Sequence, residues 1–359
     1  MRVAIDTGPL HGHQTGIGVA VRNLHDRLRR DDRVSLQPYV LSFRAALQPG
    51  ETRLPLPARL ATRLWANTRW PSAQRWLGDA DLVHGTNYVA PPTTIPTLIS
   101  VYDCWFLEHS DSANDDVRRA GAILRRAVDA GAWVHTSSDA SRQKIEVLLH
   151  TDRVRTVHLG PIADLSTSSS TPPNCEGLDG TKFVLAVGTT EVRKRHPWLV
   201  NLASQLRDDI HLVIAGASGD DSIALDAAIS ALPADTQKRV HCLGPVDRET
   251  KSWLVAHAAA MAYPSMDEGF GFPILDAQLA GLPLVAGNVG SMSEVGGGGL
   301  ILIDRDDSDA FANALNSLVD PSDERRQLIE KGRANVDRFS WERCASEMIT
   351  LYEEVRSNS

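Results

Sequence analysis

Short apolar runs alternate along the chain with stretches whose apolar residues recur every three or four positions. Val3-Ala-Ile5 is a run of the first kind. The segment from Gly16 to Leu28 is of the second, with Ile17, Val21, Leu24 and Leu28 along one helical face. Residues 81–84, 97–101 and 133–136 read as further buried-type strands, and residues 118–130 and 138–149 as helices, the second opened by a Ser/Asp cap. Residues 154–158 end this half. Residues 164–180, rich in Ser, Thr, Pro and Gly, read as a linker. Beyond them the rhythm restarts, with strands predicted at 183–188, 211–215, 240–243, 260–263, 284–286 and 300–303 and helical segments between. Strands that alternate with helices imply parallel sheets covered on both faces. The expected fold is α/β, with two doubly wound, Rossmann-like parallel-sheet domains at 1–163 and 181–339. They should face a cleft that binds ligands at the strand carboxyl ends.

The 359 residues suffice for two domains of ordinary size, and 42% of them are hydrophobic, so each can bury a core. The net charge of −8 argues against nucleic acid as a partner. Cys104, Cys175, Cys242 and Cys344 lie far apart, without metal-ligand spacing, which suits a reducing cytosol. Met1-Arg-Val-Ala-Ile-Asp6 reads as a strand rather than a signal peptide. No apolar run reaches the roughly 18–20 residues of a membrane span. A cytoplasmic location is expected. One local departure stands out: residues 53–77 carry Arg53, Arg59, Arg63, Arg69 and Arg75 with no acid, interleaved with Trp65, Trp70 and Trp76. Basic and aromatic residues together can seat an enzyme peripherally on an anionic membrane, although a solvated helix over core tryptophans is the slightly favoured reading.

The most informative segment is Tyr263-Pro-Ser-Met-Asp-Glu-Gly-Phe-Gly-Phe-Pro-Ile-Leu-Asp276, running on as Ala277-Gln-Leu-Ala-Gly-Leu-Pro-Leu-Val-Ala286. A strand ends, a turn carries Glu268 with Gly269, Phe270, Gly271 and Phe272, and Pro273 sits in the first turn of a helix. A second acid, Asp276, follows Glu268 by eight residues. A helix mouth lined by backbone N–H groups suits an anion such as a diphosphate. A second turn, in Val187-Gly-Thr-Thr-Glu-Val-Arg-Lys-Arg-His-Pro197, also follows a strand. It places Arg193 and Lys194 where fixed cations would stabilise a leaving diphosphate. Gly16 and Gly18, in Gln14-Thr-Gly-Ile-Gly-Val-Ala-Val-Arg22, open the first helix. A dinucleotide fingerprint would need a third small residue at Val21, which disfavours a dehydrogenase.

These segments resemble the retaining glycosyltransferases of family 4, which have the two-domain GT-B fold. The Glu268-to-Ala286 stretch is similar to that family's E-G-F-G-x-P-x-x-E-A-x-A-x-G-x-P-V-x-A signature, with Asp276 in place of the second Glu. The turn after Gly188 is similar to G-T-x-E-P-R-K-N, and the Gly16 segment to G-G-I-G-x-Y-x-x-N-L. Asp81-Leu-Val-His-Gly-Thr-Asn-Tyr88 is similar to D-V-x-H-G-T-N, and Ser100-Val-Tyr-Asp-Cys-Trp-Phe106 to T-V-H-D-L-x-F, with Tyr102 where the family has His.

The resemblance implies that a nucleotide-diphosphate sugar binds the second domain. Glu268 would meet the sugar, Asp276 the ribose, and Arg193, Lys194, Thr189 and the Gly269–Phe272 turn the phosphates. Gly16 and Gly18 would lie over the donor phosphate. His84, Tyr102 and Asp103 would stand on the sugar and acceptor side, with Asp103 the catalytic candidate of that half. Glu294, in Gly290-Ser-Met-Ser-Glu-Val295, would help build the turn by the nucleotide. The segment from Ser340 to Val355 is similar to the family's closing helix, so residues 340–359 should return to the first domain. The implied reaction moves a hexose, with mannose the first expectation, to a glycan, glycolipid or small-molecule hydroxyl, without metal or cofactor. Tyr102 and Asp276 keep open a catalytically silent GT-B partner subunit; a GT-B-fold epimerase is the other alternative.

Overall fold

The computed structural model describes residues 1–12, 16–109, 114–162 and 172–358. The expected linker thus lies partly outside the described residues, at 164–171. Its remainder includes a 3-10 segment at Pro173–Leu178. The chain divides into two compact units, Met1–Gly160 with Phe339–Ser359, and Pro161–Arg338.

In the first unit the described residues form seven strands: β1 (Arg2–Asp6), β2 (Ser35–Val40), β3 (Thr52–Arg53), β4 (Leu82–Gly85), β5 (Thr97–Ser100), β6 (Trp133–Thr136) and β7 (Val154–Thr156). Their order is β3-β2-β1-β4-β5-β6-β7, and every pairing is parallel. β4 and β6 are buried at every residue, as strands with both faces covered must be. Apolar clusters around Ala4, Trp65, Val83 and Ile123 and around Ile99, Leu124, Val134 and Ile145 are among those that cover the sheet.

β2 escapes a reading by pattern because Pro38 stands within it, and proline removes a ladder donor. Ser35 N–H donates to the O of Met1, the residue before β1, so by alternation the Pro38 nitrogen points to the β3 side. There β3 pairs only with Tyr39 and Val40, and Pro38 breaks no ladder bond.

In the second unit the described residues form six strands: β8 (Lys182–Val187), β9 (Ile210–Ala215), β10 (Val240–Gly244), β11 (Ala260–Tyr263), β12 (Leu284–Gly287) and β13 (Ile301–Ile303). The order is β10-β9-β8-β11-β12-β13, again parallel throughout. Val184, Leu212, Ile214, Val285, Phe311 and Leu315 belong to its core. Two doubly wound parallel sheets are what the alternating pattern implied.

The helix Trp341–Ser357 belongs to the first unit. Ser340 caps it by accepting the Arg343 N–H, and it packs on the helix Gly16–Leu28 and on β4 and β5. Its buried residues, Cys344, Met348, Ile349, Tyr352 and Val355 among them, recur at the three- and four-residue spacing of one helical face.

Candidate functional site

β8 and β11 are neighbours in the second sheet, but from them the chain winds outward in opposite directions. Doubly wound sheets bind ligands at such a reversal, outside the strand carboxyl ends, because the loops there part and leave a crevice. β8 ends at Val187 and β11 at Tyr263. The cationic turn follows the first and the acidic turn the second, so the topology itself brings Arg193 and Lys194 to Glu268.

All three are enclosed, with side-chain exposures of 19%, 10% and 8%. The Lys194 ammonium pairs with Glu268, donates to the Tyr263 hydroxyl at 3.2 Å and stands 5.0 Å from the centre of that ring. The Arg193 Nη1 lies 2.9 Å from Glu268 Oε2, and its Nε lies 2.8 Å from Glu191 Oε2. Burial alone would push Glu268 up, but the Lys194 and Arg193 charges override it and hold the carboxyl at about 2. Burial, only partly offset by Glu268, draws Lys194 below the usual lysine value. Burial followed by the Lys194 charge takes the adjacent His196 down to about 4, so it is neutral near pH 7. The outcome is a nearly dry cluster of two cations and two acids, able to exchange partners with an incoming anion at little reorganisation cost.

The turns that carry these groups are fastened. After β8, Gly188 N–H donates to Ala215 O and Thr190 N–H to Ala217 O. Half-buried Thr189 lies between them. Gly216 is required there, because a Cβ would stand 1.8 Å from Gly188 O. Met266 N–H donates to Arg193 O at 2.7 Å, tying the two turns together. In the acidic turn Gly271 adopts φ +96°, a left-handed conformation that favours glycine. The helix Phe272–Ala280 starts directly after it, with Pro273 in its first turn and left-handed Gly281 closing it. The Ser291 hydroxyl lies 3.0 Å from Glu268 O and 2.9 Å from Phe270 O. Gly269 and Phe270 are buried within this turn and Phe272 is half-buried. Glu294, in the first turn of the helix Met292–Gly296, is half-buried.

Asp276, the expected ribose contact, lies inside the second unit. It is fully buried, and its carboxylate accepts the Ile162 N–H at 3.1 Å and pairs with Lys251 at 2.9 Å. The pair ties the helix Phe272–Ala280 to the helix Arg248–His257.

His84 and Tyr102 lie inside the first unit. His84 is fully buried, with Nδ1 2.7 Å from the Tyr352 hydroxyl and Nε2 2.8 Å from Ser100 Oγ. Ser100 Oγ in turn lies 2.8 Å from His135 Nδ1, and His135 Nε2 lies 3.2 Å from Val157 O. A carbonyl only accepts, so His135 donates from Nε2 and accepts at Nδ1 from Ser100. Ser100 then accepts from His84 Nε2, and Tyr352 donates to His84 Nδ1. The polar chain is satisfied end to end and joins β4, β5, β6 and the helix Trp341–Ser357. Burial takes His84 to about 3 and His135 to about 4, so both are neutral. Tyr102 is buried between Tyr88 and His135 by edge contacts, and burial raises it well above an ordinary tyrosine, only partly offset by Ser100.

Asp103, beyond the end of β5, is half-buried and accepts from the Tyr88 hydroxyl at 3.0 Å. Gly16 is exposed at the first residue of its helix and Gly18 is buried two residues further in. The first sheet has its own reversal between β1 and β4, and Asp6 ends β1 there. Burial, opposed by the Gly8 N–H, raises its carboxyl to about 6. Nearby, His11 Nε2 lies 2.9 Å from Glu51 Oε1. Sequence reading missed Asp6; the signal was an acid closing the first strand. Glu191 and Tyr263 lay inside the quoted motifs but were not singled out. Lys251 had no sequence signal.

A model of the family described as glycosyl transferases group 1 matches residues 175–335. The chain is 30% identical over 286 residues to O-antigen chain mannosyltransferase B of Escherichia coli, covering 76% of this chain and 74% of the relative. It is 25% identical over 322 residues to D-inositol 3-phosphate glycosyltransferase of Xylanimonas cellulosilytica, covering 82% and 71%. Sucrose-phosphate synthase from Thermosynechococcus elongatus is similar in structure, with a TM-score of 0.77 at 17% identity over 100% of both chains. The glycosyltransferase WaaG, involved in lipopolysaccharide biosynthesis, has a TM-score of 0.68 at 15% identity, covering 97% of this chain and 98% of its own. Anabaena Alr3699/HepE, solved with UDP and glucose, has a TM-score of 0.72 at 15% identity over 100% of both chains. The fold is that of the GT-B glycosyltransferases, and the chain belongs to the glycosyl transferases group 1 family.

Proposed function

We propose that this glycosyltransferase moves a hexose, with mannose first in order, from a nucleoside diphosphate sugar to a hydroxyl of a glycan, glycolipid or small molecule. The anomeric configuration would be retained, with no metal or cofactor taking part. The observation that carries this reading is the buried Arg193–Lys194–Glu268 cluster at the β8/β11 reversal. Arriving phosphates compete with Glu268 for Arg193 and Lys194. Glu268, released in part, accepts hydrogen bonds from the sugar hydroxyls. As the glycosidic bond breaks, the two cations take up the charge growing on the diphosphate, the work a metal would otherwise do. The departing phosphate oxygen, on the face it leaves, accepts the acceptor's proton. Asp103 is the acceptor-side candidate and Asp6, near neutrality in its titration, a second.

Mannose stands first because one relative bears the name of a mannosyltransferase; the uridine nucleotides in the Anabaena structures make UDP the second donor base to try. Work in the cytoplasm, with peripheral contact to an anionic membrane through residues 53–77, would fit a lipid-linked acceptor. Among the described residues no helix is long and apolar enough to cross a membrane.

The test is thermal unfolding with GDP, UDP, ADP, dTDP and NAD in EDTA. A nucleotide at about 100 times its dissociation constant stabilises by roughly 2.7 kcal/mol. One nucleoside diphosphate should raise the midpoint, and Lys194→Ala should abolish the rise. The matching nucleotide sugar should then transfer with retention, read by NMR of the product. No shift with any diphosphate would refute the donor site.

A further inference from the structure

The first unit holds a cavity of about 450 Å³ at the edge of its sheet opposite to Asp103. Thr97 opens β5, Ala132 immediately precedes β6 and Arg153 immediately precedes β7, and all three line it. This is the amino-terminal edge, whereas the ligands of doubly wound sheets occupy the carboxyl-terminal one. The cavity therefore lies outside the site already described.

Three arginines line it, Arg69, Arg126 and Arg153, and among the described residues no acid does. Among the described residues none of the three is in an ion pair, although the chain as a whole carries −8. Each is held instead by a backbone carbonyl: Arg69 donates to Thr93 O at 2.9 Å, Arg126 to Ala66 O at 2.8 Å and Arg153 to Gly131 O at 2.8 Å. A guanidinium has five N–H donors, and one bond fixes its place while leaving the others to a ligand. The lining includes the apolar surfaces of Trp65, Ile95 and Ile123. Trp65 is 1% exposed and Ile123 3%, so these are rigid parts of the core. The rim continues into the basic island of residues 53–77. There Trp76 carries Arg75 over its ring, and Trp70 is 70% exposed.

We propose that this cavity binds a phosphate ester whose other part is apolar. Planar guanidiniums lining one cavity, with no acid among its described lining residues, suit the oxygens of a phosphate, and the apolar lining takes a short hydrocarbon beside it. The volume falls within the range of ordinary small-molecule sites. A lipid headgroup and a soluble phosphate ester share this chemistry. The site stands independently of the donor reading, since no residue of the second unit enters it.

Titration calorimetry on the full chain tests it, with monomeric octyl phosphate, inorganic phosphate and octyl glucoside as probes. Octyl phosphate should bind one to one, at least tenfold tighter than inorganic phosphate, and octyl glucoside should not bind. The double variant Arg126→Gln/Arg153→Gln should weaken octyl phosphate at least tenfold. Thr94→Glu, which sets an acid on the rim and leaves every guanidinium bond in place, should do the same if the double variant fails to fold. Lys194→Ala should leave the binding unchanged. Equal affinities for octyl phosphate and inorganic phosphate would overturn the apolar half of the proposal. Absence of binding, or loss only in Lys194→Ala, would overturn all of it. If the monomeric probe binds, vesicles containing phosphatidic acid should sediment the wild-type chain and not the variants when the natural source is a lipid; without sedimentation the source is a soluble ester.

Discussion

Lys194 keeps its charge inside the protein because Glu268 is beside it. Removing one member of a buried ion pair is costlier than removing both, since the survivor is left desolvated without its counter-charge. Glu268→Gln should destabilise by about 3 kcal/mol, measured by urea unfolding. Lys194→Met combined with Glu268→Gln should cost less than the two single changes summed. Additive costs would mean that the groups do not depend on one another. Glu191 pairs with Arg193 Nε while Glu268 pairs with its Nη1, so two acids hold the guanidinium. At this scale Arg193, Lys194 and Glu268 were legible because each follows a strand at a motif spacing. The committed state of Asp276 was not, because its partner Lys251 lies on another helix and nothing local announces a reach between helices. The partners of His84 were hidden for a similar reason. Its neighbours in sequence resemble a ligand-facing motif, while its hydrogen-bond partners, Ser100 and Tyr352, come from β5 and a helix more than two hundred residues on.

Among the elements, β8 and β9 do more than supply core. The loops beyond them touch backbone to backbone, at a point where Gly216 has no room for a side chain. Gly216→Ala should push the Gly188–Thr190 loop away from its Ala215 and Ala217 partners. We expect a loss of about 3 kcal/mol in urea unfolding, within the range of severe core changes, and a weaker nucleotide-induced rise in thermal midpoint even where the variant is folded. Unchanged nucleotide binding would show that the loop's position does not matter to the cations it carries. The elements themselves were mostly legible. The strand at 133–136 and the helix Gly16–Leu28 have the predicted bounds, because strict periodicity and a clean apolar run leave no competing reading. β2 and β3 were not legible. Proline within the first, and only two residues in the second, erase the local signal, and only pairing with β1 makes either a strand.

For the molecule as a whole, the buried chain Tyr352–His84–Ser100–His135 makes stability depend on pH. Folding lowers His84 to about 3 and His135 to about 4, against 6.5 for an ordinary histidine. Between these values the unfolded chain takes up protons that the folded chain refuses, so stability is complete above about pH 6.5 and falls as the pH drops toward 4. Each such histidine contributes a slope of up to roughly 1.4 kcal/mol per pH unit. Urea midpoints at pH 7, 6 and 5 should show the fall, and His135→Gln should reduce its slope by about one proton. An identical slope in that variant would mean that the chain is not what resists protonation.

The path of the chain through its two units sets an order of assembly. Residues 161–338 are synthesised, and can close their own core, before residues 341–357 exist. Until then β4 lacks the helix that packs on it, and His84 has no Tyr352 hydroxyl to complete its hydrogen bonds. Domains usually mature in the order in which they are made. Here the unit begun first is finished last, and on the ribosome it must wait, with an apolar groove open, for a helix translated after the whole of its neighbour.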